Sequence, residues 1–231
     1  VDARESTLTL DPVHRTPVPG VSSWQVIYQS TDALGEPTAV SGTVLVPNSP
    51  WLLGQRPVVG YAPGTRGVGD DCAPSYTLSQ GTDYEGLFVK GLLDMGWAVA
   101  VTDYQGLGTP GGHTYMVGPA QGQALLDAVR AAQRLPEAGL SANAPVGLMG
   151  YSQGGSGAGW AAQSAASYAP ELSVRGLVVG GTPANLERTA EFLDGSAFVA
   201  FALLASLGLD AAYPELALDA YLNTTGRQLV D

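Results

Sequence analysis

Basic residues are scarce in this sequence of 231 residues. Lys and Arg together number 10 against 21 Asp and Glu, which gives a formal net charge of −11 at pH 7. Proteins bind nucleic acid largely through basic residues that displace counterions from the phosphates, so this composition excludes a nucleic-acid partner. The same negative charge disfavours attraction to an anionic membrane surface, and any contact with lipid is expected to be apolar.

Cysteine, histidine and long apolar runs are scarce as well. Cys72 is the only cysteine, and composition leaves two interpretations open: a free buried thiol, or half of a disulfide whose partner lies outside this sequence. The two histidines, His14 and His113, are far apart and form no ligand cluster with it, so we expect no metal and no other cofactor. The longest apolar stretch, residues 197–209, is too short for the roughly 20 residues of a membrane span.

Glycine, proline and apolar residues, by contrast, are plentiful. The 31 glycines and 16 prolines follow no fixed period, which excludes collagen and solenoid architectures and indicates tight turns between short elements. Apolar residues make up 45% of a chain long enough for one α/β domain, which excludes a disordered tail. The sequence begins at Val1 without a basic and then apolar leader, as a processed secreted protein or a trimmed sequence would.

The order of predicted elements indicates an α/β fold. Residues 24–30 and 38–46 alternate in strand fashion around a turn at 32–37, which predicts an antiparallel hairpin. Beyond Pro57, short apolar runs alternate with helix-length segments, as in buried parallel strands. The predicted strands are 58–62, 98–102, 146–150 and 177–180, and the predicted helices are 84–95, 119–135 and 153–168. This alternation predicts a doubly wound, mostly parallel sheet.

Residues 183–226 follow a different pattern, with helical stretches broken at Gly195, Gly208 and Pro214 and no run typical of a strand. The segment is unusually apolar. One interpretation is an ordinary buried pair of helices; the other is a helical cap whose apolar underside covers a substrate pocket. The candidates to line that pocket are Phe198, Phe201 and Leu204.

A Gly-x-Ser-x-Gly motif places Ser152 between Gly150 and Gly154, directly after a predicted strand and before a predicted helix. The pattern alone is weak, and an ordinary serine turn is the alternative. The strand–turn–helix context is what a nucleophile requires: a sharp turn that exposes the serine, with glycines where Cβ atoms would collide. We therefore predict that Ser152 is the nucleophile of an acyl-transfer site.

Acyl transfer also needs N–H donors for the oxyanion. The residue after the nucleophile, Gln153, supplies one through its backbone N–H, and the second is expected from the loop 60–67 after an earlier strand. Thr65 is our candidate there. Asp70 and Asp71 are lesser candidates, and a plain glycine turn is the alternative for the whole loop.

A catalytic base is missing from the expected place. In this class of fold the histidine follows the serine along the chain, yet His14 and His113 both precede Ser152. His14 belongs to a proline-rich lead-in. His113 lies in a loop after the strand 98–102, where a structural or pocket-wall role is the favoured interpretation. The triad is therefore incomplete in this sequence.

Five segments together resemble the secretory lipase family, which is of the α/β-hydrolase type and includes Candida antarctica lipase A-like and actinobacterial members. They are residues 72–76, 103–111, 150–155, 167–172 and 180–184. Five motifs in the right order are far more specific than the serine motif alone. The resemblance implies a secreted lipase or esterase with a helical lid inserted after the strand at 177–180.

The same resemblance implies a division of the chain: 1–184 is the N-terminal part of the hydrolase core and 185–231 is the lid. Family members are longer, and their Asp and His follow the lid, so the chain is expected to be truncated, with the C-terminal part of the core absent. In the yeast member the cysteine corresponding to Cys72 pairs with one in that part.

The predicted function is that of a secreted serine carboxylic-ester hydrolase acting on triacylglycerol-type or other acyl-ester substrates. The expected partners are the small ester or lipid substrate, a lipid interface contacted through the apolar lid, and the C-terminal part that completes the triad. Two alternatives remain: an acyltransferase on the same scaffold, and a non-catalytic lipid-binding fragment.

Overall fold

The computed structural model describes residues 1–230 of the chain and leaves out the side chains of residues 229 and 230. Seven strands form a single sheet in the order β1-β2-β3-β5-β4-β6-β7. The strands are β1 Asp2–Ser6, β2 Val21–Thr31, β3 Pro37–Pro47, β4 Val58–Ala62, β5 Ala98–Thr102, β6 Pro145–Tyr151 and β7 Ser173–Gly180. β1 to β3 pair antiparallel, β3 pairs antiparallel with β5, and the last four strands are mutually parallel.

The described residues form seven α-helices, of which the first four cover both faces of this sheet. They are α1 Pro74–Gln80, α2 Gly86–Asp94, α3 Gly118–Arg134, α4 Gln153–Tyr168, α5 Leu186–Leu193, α6 Ala200–Ala212 and α7 Thr224–Val230. α3 and α4 pack with alternate strand residues such as Val58 and Leu148 into one buried cluster. α1 and α2 pack with the intervening residues, such as Val59 and Val99, into a second cluster on the opposite face. The predicted doubly wound α/β architecture is confirmed.

Elements with a strong apolar pattern match their predictions. β4, β5 and α4 have the predicted bounds, and the hairpin strands are longer than predicted by three residues at the start of β2 and by one residue at each other end. Two elements were missed. β1 is an edge strand of five polar and small residues with little burial, so it lacks an apolar face. α1 has only seven residues, too few for a helical period to stand out.

β7 lies at the other edge of the sheet and is apolar without being covered. Leu177, Val178 and Val179 are 42%, 64% and 41% exposed. Because parallel strands are normally covered on both faces, this edge differs from the buried strands β4 and β5.

The prediction that Gly208 breaks a helix is wrong, since it lies inside α6. A Cβ atom at this position would collide with the backbone of Tyr115. The glycine therefore allows a close helix–loop approach instead of ending the helix. Within residues 1–230 no single helix is long and apolar enough to cross a membrane; Ala200–Ala212 and Pro214–Ala220 meet the length and composition only as a pair bent by 114°.

Candidate active site

Ser152 lies at the turn between β6 and α4 with φ 56° and ψ −119°. A non-glycine residue rarely adopts this backbone conformation, and such strain is characteristic of functional sites. Cβ atoms added to Gly150 or Gly154 would collide with backbone atoms, including the carbonyl oxygen of Ala62. The flanking glycines are thus required by space, as the motif predicted.

Ser152 is held in place by its backbone and not by its side chain. It is half-buried, and the residue is anchored by its backbone N–H, which donates to the carbonyl of Gly180 at 2.9 Å. No side-chain or backbone atom of the part of the chain that the structure describes hydrogen-bonds to the Ser152 Oγ. The serine therefore has its position fixed and its hydroxyl unengaged.

Gln153 is the first residue of α4, where backbone N–H groups have no partner within the helix. The backbone N–H of Gln153 has no acceptor among residues 1–230. At the N-terminus of the helix it is therefore an available hydrogen-bond donor. Its side chain is buried, and the amide nitrogen donates to Nε2 of His113 at 3.1 Å.

His113 is engaged at both ring nitrogens. Because an amide nitrogen only donates, Nε2 accepts from Gln153, and Nδ1 carries the proton and donates to the carbonyl of Gln105 at 2.9 Å. Burial lowers the pKa of His113 to about 4. The ring is therefore a neutral structural group that holds the Gln153 side chain. His14 is exposed and bonds Asp11, far along the chain from the serine turn.

Thr65 lies in a loop that packs directly against the serine turn. A Cβ atom added to Gly64 would lie 3.4 Å from the carbonyl oxygen of Tyr151. The Gly64 N–H is already bonded to Oε2 of Glu85 at 3.0 Å, and the Thr65 hydroxyl lies 2.8 Å from the Tyr115 hydroxyl. The backbone N–H of Thr65 finds no acceptor anywhere in residues 1–230 and is left available.

The lesser oxyanion candidates lie elsewhere. Asp70 and Asp71 are exposed in a short 3-10 turn, and Asp70 accepts a hydrogen bond from the N–H of Gly108 at 3.0 Å. Cys72 ends the same turn as a free, partly exposed thiol instead of a buried one.

A cavity of about 620 Å³ opens beside Ser152 and Tyr115. Apolar side chains from α5 and α6 form much of its wall: Leu186, Phe192, Leu193, Phe201, Ala205 and Leu209. Of the three predicted pocket residues, only Phe201 lines this cavity. Phe198 stacks on Phe201 with ring centroids 6.4 Å apart, and Leu204 lies on α6 outside the lining because its face of the helix points elsewhere.

Sequence reasoning missed Tyr115, which joins the cavity to the Thr65 loop. It also missed Leu186 and Leu193 on α5, whose positions a helical period over 186–193 would have found. Nothing in the sequence signals Tyr115, because the two contacts that link it to the site are with residues distant along the chain: the Thr65 hydroxyl and the close backbone approach at Gly208.

Comparisons with known proteins identify the family to which the chain belongs. The secretory lipase family model matches residues 73–231. A probable inactive lipase of Mycobacterium tuberculosis is 34% identical over 91% of this chain and 48% of its own length. A secreted triacylglycerol lipase of Malassezia furfur is 32% identical over 92% of this chain and 46% of its own length.

Among solved structures, Candida antarctica lipase A in its closed state superposes with a TM-score of 0.83 at 29% identity. The match covers 99% of this chain and 53% of that enzyme, so the chain spans about half the length of the relatives that it matches. Its strand order, its serine turn and these similarities together establish that the chain belongs to the secretory lipase family and has an α/β-hydrolase fold.

Proposed function

We propose that this chain carries the nucleophile and the oxyanion donors of a secreted serine carboxylic-ester hydrolase. The observation that carries the proposal is Ser152 itself: a non-glycine residue at φ 56°, pressed between two obligatory glycines and facing an apolar cavity. Relatives named secreted lipases support the class of reaction and an extracellular location.

In the proposed reaction the Ser152 Oγ attacks the ester carbonyl while a histidine base takes its proton. The oxyanion of the tetrahedral intermediate accepts hydrogen bonds from the N–H groups of Gln153 and Thr65. Collapse breaks the ester C–O bond, and the proton passes to the departing alcohol. Water then attacks the acyl-serine and releases the acid.

The cavity favours acyl chains as substrates. Its wall is largely apolar, and exposed aromatic side chains lie beside it: Phe192 on α5 is 80% exposed, and Phe198 in the turn between α5 and α6 is 61% exposed. We assign residues 185–231 to a lid over the core formed by 1–184, and the exposed phenylalanines to contact with a lipid interface. The excess of negative charge makes a polyanionic substrate unfavourable.

The base and its orienting carboxylate are assigned to the C-terminal part of the core, outside this sequence. Two observations support this: the described residues bring no histidine into hydrogen-bond contact with Ser152, and the edge strand β7 exposes apolar side chains. A further piece of the core packed on β7 would cover those side chains and place a histidine after the serine in the chain.

The test is covalent labelling of the full-length enzyme with a fluorophosphonate. Ser152→Ala is expected to abolish labelling and ester hydrolysis, because no other group replaces the Oγ nucleophile. Ser167→Ala, on the exposed side of the same helix, is the matched control and should label like the unaltered enzyme. Undiminished labelling of Ser152→Ala would refute the assignment.

A further inference from the structure

The peptide group between Gly64 and Thr65 has its two polar atoms in different roles. Its N–H is the proposed oxyanion donor of Thr65, and its carbonyl oxygen accepts a hydrogen bond from Nη1 of Arg66 at 2.6 Å. A trans peptide is planar, and its C=O and N–H point in opposite directions. Whatever fixes the carbonyl of Gly64 therefore also aims the N–H of Thr65.

Arg66 is itself held rigidly. Its Nε and Nη2 donate to the two carboxylate oxygens of Asp83 at 2.7 and 2.6 Å, and Nη2 also donates to Oε2 of Glu85 at 3.0 Å. The guanidinium lies over the Tyr84 ring, 4.6 Å from its centroid. The side chains of Arg66, Asp83 and Glu85 are 7%, 1% and 4% exposed. Burial alone would lower the pKa of Arg66, but the hydrogen bond and charge of Asp83 outweigh it and raise the pKa.

Residues of the same cluster, Glu85 and Tyr84, also hydrogen-bond to the neighbouring peptide groups. Glu85 accepts the N–H of Gly64, and the Tyr84 hydroxyl donates to the carbonyl of Thr65 at 3.1 Å. Every other backbone polar atom of Gly64 and Thr65 is thereby occupied, and the Thr65 N–H alone is left without a partner among residues 1–230. A buried ion pair adds little net stability, because desolvation offsets the attraction. The arrangement is better explained by the geometry that it imposes.

We propose that Arg66, braced by Asp83 and Glu85, is a positioning residue that aims the Thr65 N–H at the oxyanion. The planar guanidinium group of Arg66 donates to both carboxylates and to the Gly64 carbonyl at the same time. A lysine ammonium group is unable to make all of these hydrogen bonds from one position. The charged donor on the carbonyl also polarises the peptide and strengthens its N–H as a donor. The inference rests on the proposed function, since it concerns how the oxyanion site of that reaction is built.

The experiment is steady-state kinetics of the full-length enzyme on a p-nitrophenyl ester, with inhibition by butylboronic acid, whose adduct with a serine imitates the tetrahedral state. For Arg66→Lys we expect kcat to fall about 10- to 100-fold with KM within about twofold, because the lost interaction exists only in the transition state. The inhibition constant of the boronic acid should rise at least about tenfold for the same reason.

Arg130→Lys is the matched control. Arg130 also pairs with two carboxylates, Asp127 and Glu171, donates to a backbone carbonyl and lies over a tyrosine ring, but it packs between α3 and the end of α4. All three constants should stay within about twofold of the unaltered enzyme. Should Arg66→Lys fail to fold, Tyr84→Phe is read instead, with kcat expected to fall about two- to tenfold at unchanged KM.

Two results overturn the proposal in distinguishable ways. Unchanged kcat and boronic acid affinity in the folded Arg66 variant, or in Tyr84→Phe where that variant is read, would refute the positioning role and leave the nucleophile assignment standing. Turnover that persists in Ser152→Ala would refute the proposed function, and the role of Arg66 with it.

Discussion

At the scale of single residues, the candidate site is distinguished by which polar groups already have hydrogen-bond partners and which do not. The Ser152 Oγ and the N–H groups of Gln153 and Thr65 have no partners within residues 1–230, whereas both nitrogens of His113 do. Unengaged donors beside a strained serine are what an acyl-transfer site needs, because a reacting carbonyl brings the missing acceptor. The neutral imidazole of His113, by contrast, has both nitrogens hydrogen-bonded and holds the Gln153 side chain in place.

This assignment of His113 predicts a pH dependence of stability. Burial lowers its pKa from 6.5 to about 4, so the unfolded chain takes up a proton below pH 6.5 that the folded protein takes up only near pH 4. The stability contributed by the neutral ring is complete above pH 6.5 and is lost as the pH falls to 4. The loss is about 3 kcal/mol, from roughly 1.4 kcal/mol for each pKa unit.

The comparison is between the unaltered protein and His113→Gln, by urea unfolding at pH 4, 5, 6 and 7. The variant should be less stable at pH 7 and lose less stability on acidification, so the difference between the two shrinks as the pH falls. Asp103, whose pKa burial raises to about 6, affects both proteins alike and cancels. A difference that stays constant from pH 7 to pH 4 would contradict the assignment of a buried neutral ring.

At the scale of elements, the position of α6 determines the cavity. The helix approaches the loop at Tyr115 so closely that only glycine fits at position 208, and its neighbours Ala205 and Leu209 then reach the cavity wall. Tyr115 in turn contacts Thr65. A helix of the proposed lid and the loop that carries the proposed oxyanion donor Thr65 are thus joined through one tyrosine.

Gly208→Ala is therefore expected to destabilise the protein even though alanine favours helices. The added Cβ would collide with the backbone of Tyr115, and relief by a shift of α6 costs about 1–3 kcal/mol. Thermal and urea unfolding measure this effect. Gly159→Ala is the control: it lies inside α4 with open space around its Cβ, and it should be neutral or stabilise by up to about 1 kcal/mol. Equal effects of the two substitutions would show that α6 does not pack as described.

At the scale of the whole molecule, the chain holds one well-packed sheet with an uncovered parallel edge. The two buried clusters cover β4 and β5 on both faces, but β7 exposes Leu177, Val178 and Val179. The chain also spans about half the length of its relatives. Both facts fit the proposal that a further part of the core supplies the base and covers this edge.

The proposal predicts that the 231-residue chain by itself does not hydrolyse p-nitrophenyl esters above the rate of a Ser152→Ala control. The reason is that the serine hydroxyl has no base within hydrogen-bond distance among the described residues. A full-length enzyme prepared alongside is the positive control. Serine-dependent turnover by the short chain would place the base within it and return His113 to consideration.

Sequence alone determined the elements whose pattern is local and strong. The apolar runs of β4 and β5, the serine turn and α4 were predictable residue by residue, because burial on both faces and the need for glycines leave few alternatives. The family was recognisable from five short motifs, because each motif is also a local pattern in the sequence. Polar β1 and short α1 carried no such pattern and escaped prediction.

The tertiary structure alone decided what depends on contacts between distant segments. Only folding brings Arg66 onto the carbonyl of Gly64, with Asp83 and Glu85 behind it, and only folding engages both nitrogens of His113. Sequence gives the identity of a donor, but hydrogen bonding is a matter of a few tenths of an ångström and of direction. Ser152 could therefore be named from its motif, whereas the groups that fix the geometry around it required the structure.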